Sequence, residues 1–423
     1  MTDIRRWAAA AAALTLTVTG LTAASATARA DAPGCPVLTA TDGWYGDNGT
    51  RLQELIDRHG RCGGNRTDGA RPLAVFDWDN TVIKNDVGDA TMYWLLRNSR
   101  IRPPRAGDWH TTSRHLTDAA AASLAAACPT GVRTLPTATD TDCADEIRSV
   151  YEDGETTRGD TAFAGFDHRR TEPRYAWLAQ LLDGWTTRQA EAFAAAARAE
   201  NLAAPIGAAQ RVGSGTATGW IRHYDQQRDL IATLHKAGFD VWIVSASPEP
   251  VVDVWAKGVG VTPSRAIGIR NVTRGGRLTA RLQGCGTVRD GEDTMITYIE
   301  GKRCWINREI LGVRGPAAEQ VQPAHRRQVF AAGDSDTDVS FLRDATALRL
   351  VINRNKDEVM CRAYDNADGR WIVNPMFLQP KPRRVTPYPC ATSGHTAADG
   401  SRGPVLRGDG SVVPDQWDTV HAP

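Results

Sequence analysis

The sequence lacks any excess of one charge: 50 Lys and Arg stand against 49 Asp and Glu in 423 residues. Bulk attraction to nucleic acid is therefore not expected to organise this protein. After its opening segment it lacks an apolar run approaching the ~20 residues of a membrane span. It lacks a C-x-x-C and a close histidine pair, so its cysteines do not read as a zinc site. It also lacks what a calcium loop demands. Asp334-Ser335-Asp336-Thr337-Asp338 starts like one, but the sixth and twelfth positions, which want Gly and Glu, hold Val339 and Ala345.

The opening segment has its own character. Arg5 and Arg6 precede an Ala/Leu/Val-rich run, and Ala28-Arg29-Ala30 offers small residues for cleavage. That pattern is a secretory signal peptide over residues 1–30, with a mature chain from near Asp31. A secreted or extracytoplasmic protein is expected, with no membrane contact once the signal is removed. All eight cysteines follow the signal, and an even count in an exported chain reads as disulfides. Eight cysteines allow 105 pairings. Pairing by proximity along the chain gives Cys35–Cys62, Cys128–Cys143, Cys285–Cys304 and Cys361–Cys390.

Buried strands are expected at Leu73–Phe76, Val241–Val244, Ala266–Ile269, Val329–Ala332 and Leu348–Ile352. Helical patterns lie between them, including Gln226–Ala237 and a helix with Pro248 just inside its start. Strands alternating with helices predict an α/β fold, a Rossmann-like parallel sheet with helices on both faces. Residues 91–208 break the alternation. Ala-rich helical segments such as Leu116–Ala127 and Arg188–Ala204 dominate there, with Pro103-Pro104 and Gly131 as breakers. This predicts a helical cap inserted into a discontinuous core of residues 31–90 and 209–378. From Gln379 onward an irregular tail is expected.

Three strand ends carry polar punctuation: Asp77-Trp78-Asp79-Asn80-Thr81, then Ser245-Ala246-Ser247, then Gly333 to Asp338. A parallel sheet would gather these at its carboxyl edge, where ligands bind in open α/β folds. So many carboxylates repel unless a cation joins them. A hard divalent ion with oxygen ligands suits them, and Mg²⁺ with phosphate oxygens fits. One aspartate then attacks phosphorus and the other handles the leaving-group proton.

"FDWDNT", "IVSAS", the lysine of "YIEGKRCWIN" and "AAGDSDTD" together resemble the four motifs of the haloacid dehalogenase superfamily, in order. The resemblance spans Leu73 to about Ile352. Asp79 is the informative residue: dehalogenases of the family keep only the first aspartate, so the pair implies phosphate-ester chemistry. By resemblance, Asp77 forms an aspartyl-phosphate, and Asp79 is the acid and base. Ser245, Thr81 and Asn80 bind phosphate, and Lys302 offsets charge. Mg²⁺ is held by Asp77, the Asp79 carbonyl and Asp334, with Asp338 in support.

The cap position resembles the phosphoserine phosphatase-like branch, which implies a small-molecule phosphate ester. In that branch an acid near the offset of Asp86 faces a substrate ammonium, although Asp86 also suits a helix N-terminus. Secreted phosphorylcholine phosphatases of this branch are similar in their Asp-x-Asp-Asn-Thr form. Quaternary ammonium groups favour aromatic cages, and Tyr93, Trp94, Trp109, Trp177 and Trp185 fall in or near the cap. A secreted phosphatase of broad range and an inactive binding protein on the same fold are the alternatives.

Overall fold

The computed structural model describes residues 34–63 and 69–421. The expected signal peptide lies outside these residues. Six parallel strands form one sheet: β1 (Leu73–Phe76), β2 (Asp240–Pro248), β3 (Ala266–Ile269), β4 (Phe330–Gly333), β5 (Leu348–Asn353) and β6 (Trp371–Pro375). Their order is β6-β5-β4-β1-β2-β3. Every strand pair is parallel, and β1 is flanked by β4 and β2.

All four residues of β1 are buried, as expected of a strand covered on both faces. Alternate side chains enter two separate cores. Ala74 and Phe76 join Ile243, Phe330 and Leu350 beneath α1 (Asn48–His59), while Leu73 and Val75 join Val244, Ala331 and Val351 on the other face. A third core holds the helical segment together. It lies among α2 (Val87–Arg97), α3 (Asp118–Ala127), α4 (Thr141–Glu152), α5 (Pro173–Gln180) and α6 (Thr187–Ala203). These helices start where their sequences provide caps: Thr117 accepts from Ala120 N, and Thr186 with Gln189 forms a reciprocal capping box. We retain the inserted-cap reading of this segment as a proposal.

The structure extends or corrects the sequence reading in three places. The edge strand β6 carries only five residues and was not anticipated. After α7 (Asp225–Lys236), Pro248 ends β2 and precedes α8 (Glu249–Ala256) as its N-cap, and Pro250 sits in the first turn instead. The hairpin formed by Asn271–Arg274 and Arg277–Leu282 falls after β3, yet it packs on the helical segment. Leu278 exchanges backbone hydrogen bonds with Gly184 and Trp185 and is buried among the cap helices.

The four disulfides join Cys35–Cys62, Cys128–Cys143, Cys285–Cys304 and Cys361–Cys390, the local pairing expected. The last ties the tail to the sheet side, where Tyr388, Cys390, Val405 and Val413 are buried. Among the described residues no helix is long and apolar enough to cross a membrane. The Cys128–Cys143 bond closes a loop with a sequence separation of 15 residues. Replacing both cysteines with serine should cost about 3 kcal/mol of stability in urea unfolding, by the loop-entropy argument. Unchanged stability would contradict this, as would two or more free thiols in peptide maps of unreduced native protein.

Candidate active site

β1 ends in the middle of the sheet, and Asp77 N donates to Ala332 O of β4 at 2.9 Å. Trp78 turns the other way and is fully buried, edge-on to His223. Asn80 adopts a left-handed conformation at φ 60°, which asparagine tolerates better than most residues. The chain folds back there, and the amides of Thr81, Val82 and Ile83 all reach the Trp78 carbonyl. This turn buries the Thr81 hydroxyl 2.9 Å from Asp77 Oδ2 and 3.2 Å from Asp334 Oδ1.

Lys302 stands on α9 (Glu300–Glu309), fully buried. Its Nζ donates to Asp77 Oδ1 and to Asp338 Oδ1, each at 2.6 Å. The residue before α9, Ile299, has φ 43°, a strained value for a β-branched side chain. Contacts to the fourth motif hold it there. Ile299 N donates to Thr337 O, and Ile299 O accepts from Ser340 Oγ. Asp338 Oδ2 accepts from the Asp334 and Ser335 amides at 2.9 and 3.1 Å. A Cβ on Gly333 would lie 2.7 Å from Asp338, so glycine is needed there.

Asp79 faces a different set of donors. Its Oδ1 accepts from Val87 N at 2.8 Å, and its Oδ2 accepts from Ser247 Oγ at 2.9 Å. Ser245 Oγ is farther, at 3.4 Å, and accepts from Ser247 N. Asp86 caps α2 by accepting from Asp89 N at 3.0 Å, and Asp89 accepts from Tyr151 OH at 2.9 Å.

Asp77, Asp79, Asp86, Ser247, Asp334 and Arg354 border a narrow cavity of about 50 Å³. A larger one of about 370 Å³ shares Asp86, Tyr151, Tyr175 and Arg354 with it, and adds Asp89, Tyr93, Glu152 and Trp220. Asn80 borders the larger cavity, while Ser245, Thr81, Lys302 and Asp338 lie buried behind the smaller one. Of the aromatic candidates, Tyr93 borders the larger cavity, whereas Trp109, Trp177 and Trp185 are core residues and Trp94 stacks on Phe193. Tyr151, Tyr175 and Arg354 escaped the sequence reading, and Ser247 was read only as part of a polar strand end, without a role. Arg354 had one available signal, a polar side chain just past a buried strand run.

Arg354 Nη1 lies 2.5 Å from Asp334 Oδ2. With Lys302 it gives two cations against the carboxylates of Asp77, Asp79, Asp334 and Asp338. Burial, opposed by Lys302 and reinforced by Asp334, pushes the Asp77 carboxyl up to about 6. Burial raises Asp334 too, and burial followed by Asp86 and Asp77 pushes Asp79 well above the ordinary carboxylate range. Burial alone would lower the Lys302 ammonium, but Asp338 and Asp77 outweigh it and hold the proton on. Carboxylate oxygens of Asp77, Asp334 and Asp338 lie within 4.8 Å of one another. This surplus of buried, hard oxygen donors fits a divalent cation.

The family model for haloacid dehalogenase-like hydrolase matches residues 133–343. The chain belongs to that family. The match begins past the first motif, but β1 lies between β2 and β4, which the match includes, and the geometry joins Asp77 to the rest. With the second aspartate in place, this hydrolase is a phosphatase. A functionally unknown protein from Anaerococcus prevotii has the same fold at 19% identity and TM-score 0.51, covering 79% of this chain and 92% of its own. A protein of unknown function from Bordetella pertussis aligns at 19% identity and TM-score 0.43, over 73% of this chain and 100% of its own. A substrate-bound phosphoserine phosphatase aligns at 13% identity and TM-score 0.30, over 67% and 87%. No curated protein matches the sequence.

The raised Asp77 carboxyl has a definite linkage sign. Its folded value of about 6 exceeds the ordinary 3.8, so between those limits the folded state holds more protons than the unfolded one. On this account the metal-free protein gains stability as pH falls from about 6 towards 4, by at most about 3 kcal/mol. A divalent cation should relieve the same repulsion. Millimolar Mg²⁺ should therefore raise the melting temperature at pH 7.5 and do so much less at pH 5. An equal shift at both pH values would show that the ion binds elsewhere.

Proposed function

We propose that this chain is a secreted, Mg²⁺-dependent phosphomonoesterase that works through an aspartyl-phosphate on Asp77. Its substrate is a small phosphate ester with a cationic leaving group, phosphocholine being the type. One observation carries the reading: two buried carboxylates two residues apart differ in their electrostatic partners. Asp77 Oδ1 is paired with a fully buried lysine, whereas Asp79 has no salt bridge among the described residues and is pushed towards its protonated form. A nucleophile must be ionised and a leaving-group acid must carry a proton, and this division supplies both.

Asp77 Oδ2, which shares the Thr81 hydroxyl with Asp334, attacks phosphorus. The bond from phosphorus to the ester oxygen breaks, and Asp79 gives that oxygen its proton. The Asp79 carboxylate then takes a proton from water, whose oxygen attacks phosphorus, releasing phosphate and restoring Asp77. Lys302 stays charged throughout and stabilises Asp77 whenever it is ionic. Ser247 and the amide of Val87 keep Asp79 aimed into the pocket. Ser245, Thr81 and Asn80 hold the loops that cradle the phosphoryl group. Asp77 and Asp334, with the Asp79 carbonyl, would hold Mg²⁺, which supplies positive charge to the phosphoryl oxygens when bound. Asp338 supports this set by fixing Lys302 and the Asp334 amide.

The leaving group would project into the larger cavity. Its acids Asp86 and Asp89 have no lysine or arginine salt bridge among the described residues, and its walls include Tyr93, Tyr151 and Tyr175. Acid and aromatic surfaces together suit an ammonium. The inserted helices would close over it and exclude water. A broad-range phosphatase remains the second reading, because Arg174 and Arg354 also reach this cavity.

Phosphate release should be measured over a panel of phosphomonoesters with and without Mg²⁺. Choline, ethanolamine and serine phosphates should lead. No hydrolysis of any ester would sink the enzyme reading in favour of a binding protein. Asp77→Asn should lower kcat by about a thousandfold or more while the protein stays folded. Wild-type-like turnover by that variant would refute the nucleophile. Asp86→Asn is a clean substitution, since asparagine caps a helix as well as aspartate does. It should lower kcat/KM for phosphocholine by about tenfold and leave p-nitrophenyl phosphate within about threefold. Equal losses on both would make Asp86 a helix cap only.

A further inference from the structure

A cavity of about 300 Å³ lies among residues 102–112, the C-terminal end of α5 and the hairpin of residues 271–282. It shares no lining residue with the two cavities at the catalytic centre. Its walls bring Arg102, Arg105, Arg274 and Arg281 together with a single acid, Asp183. The acid engages Arg105 only loosely, at 3.7 Å, and Arg281 is paired at 3.2 Å with Asp293. Arg102 and Arg274 have no salt bridge among the described residues. Arg102 lies flat over the Trp185 ring, 4.5 Å from its centroid, and its Nε is buried without a hydrogen-bond partner.

The buried Nε–H of Arg102 points the same way, because a donor left without a partner costs free energy that an anionic oxygen would recover. Four guanidinium groups converging on one hollow repel each other unless an anion joins them. Planar guanidinium forks match oxyanions in paired hydrogen bonds.

We propose that this cavity binds a small, multiply charged oxyanion, a carboxylate or phosphate compound of at least two negative charges. Arg102, held by Trp185, forms its fixed wall, and Arg105, Arg274 and Arg281 close on the ligand from the surface. The site is independent of the reaction proposed for the catalytic cavity. It is nonetheless linked to that cavity along one helix, since Tyr175 and Leu178 of α5 border the catalytic cavity and Gln180 ends the same helix.

The test is calorimetric titration of the disulfide-bonded protein, without added metal, using citrate and pyrophosphate as probes at low salt. At least one probe should bind saturably with one-to-one stoichiometry. Binding of both would mean that charge alone is read, and binding of one would name carboxylate or phosphate as the chemistry. Arg105 and Arg274 are exposed, so Arg105→Gln with Arg274→Gln should leave the fold unchanged by circular dichroism. That double variant should weaken binding by roughly tenfold. Absence of saturable binding by the wild-type chain would overturn the proposal. So would binding that the double variant leaves within about twofold, which would place the anion elsewhere.

Discussion

A lysine with no access to water sits at the centre of this protein. Lys302 is fully buried, and burying a lone ammonium would cost several kcal/mol. It is tolerated because Asp77 and Asp338 each stand 2.6 Å away. Those three groups come from three distant parts of the sequence, and each depends on the other two. Without Lys302, two aspartates would be buried beside each other. Without Asp338, the lysine would lose one of its two carboxylate partners and the Asp334 turn would lose the carboxylate that organises its amides. The strained Ile299 backbone shows the same dependence, because two of its backbone contacts run to the segment that carries Asp338 and a third comes from the Lys302 amide. The surrounding sheet is close-packed so that this triad has one arrangement.

Beyond the triad the centre is over-supplied with acid. Asp79, Asp86 and Asp89 are all raised above ordinary carboxylate behaviour, burial being the largest cause each time. A core that served only stability would not carry three such groups along one short stretch. Arg354 relieves part of the surplus by pairing with Asp334, but that pairing occupies an oxygen that a metal ion would want. A cation and the guanidinium would therefore compete for Asp334. Arg354 borders both cavities beside this centre, so once displaced it would have anionic company at hand in Asp86.

The parts of the fold legible in the sequence were those written in continuous apolar runs. Five of the six strands announce themselves that way, because a strand covered on both faces is mostly apolar, and only Arg349 breaks the run Leu348–Ile352. β6 did not, since Trp371–Pro375 is short and ends in Asn and Pro. The disulfides were legible through proximity along the chain alone. The site was legible where chemistry needs fixed spacing, as in Asp77 with Asp79 and Asp334 with Asp338. It was not legible where a residue reaches the pocket through tertiary packing. Tyr151 and Tyr175 lie on helices whose pattern reports a buried face, and nothing in that pattern says which buried ring meets a cavity. The aromatic candidates divide for the same reason: Tyr93 meets the cavity, while most of the tryptophans, as expected, do not. Large aromatics fill cores first, and Trp109, Trp177 and Trp185 do so here.

Asp86 shows why two readings of one residue need not exclude each other. As a helix cap it must present a carboxylate to the first amides of α2, and it does so at Asp89 N. That same requirement fixes its position on the cavity wall, because α2 begins where the chain leaves the Asp77–Thr81 turn. Val87 N, the first amide of the helix, meanwhile holds Asp79. One helix start thus sets both the orientation of the second aspartate and the negative wall facing the larger cavity. A cap that merely ended a helix would be free to move with it. This one is tied through Val87 to Asp79 and through Asp89 to Tyr151 of α4, so the position of α4 is linked to the orientation of Asp79 through two hydrogen bonds.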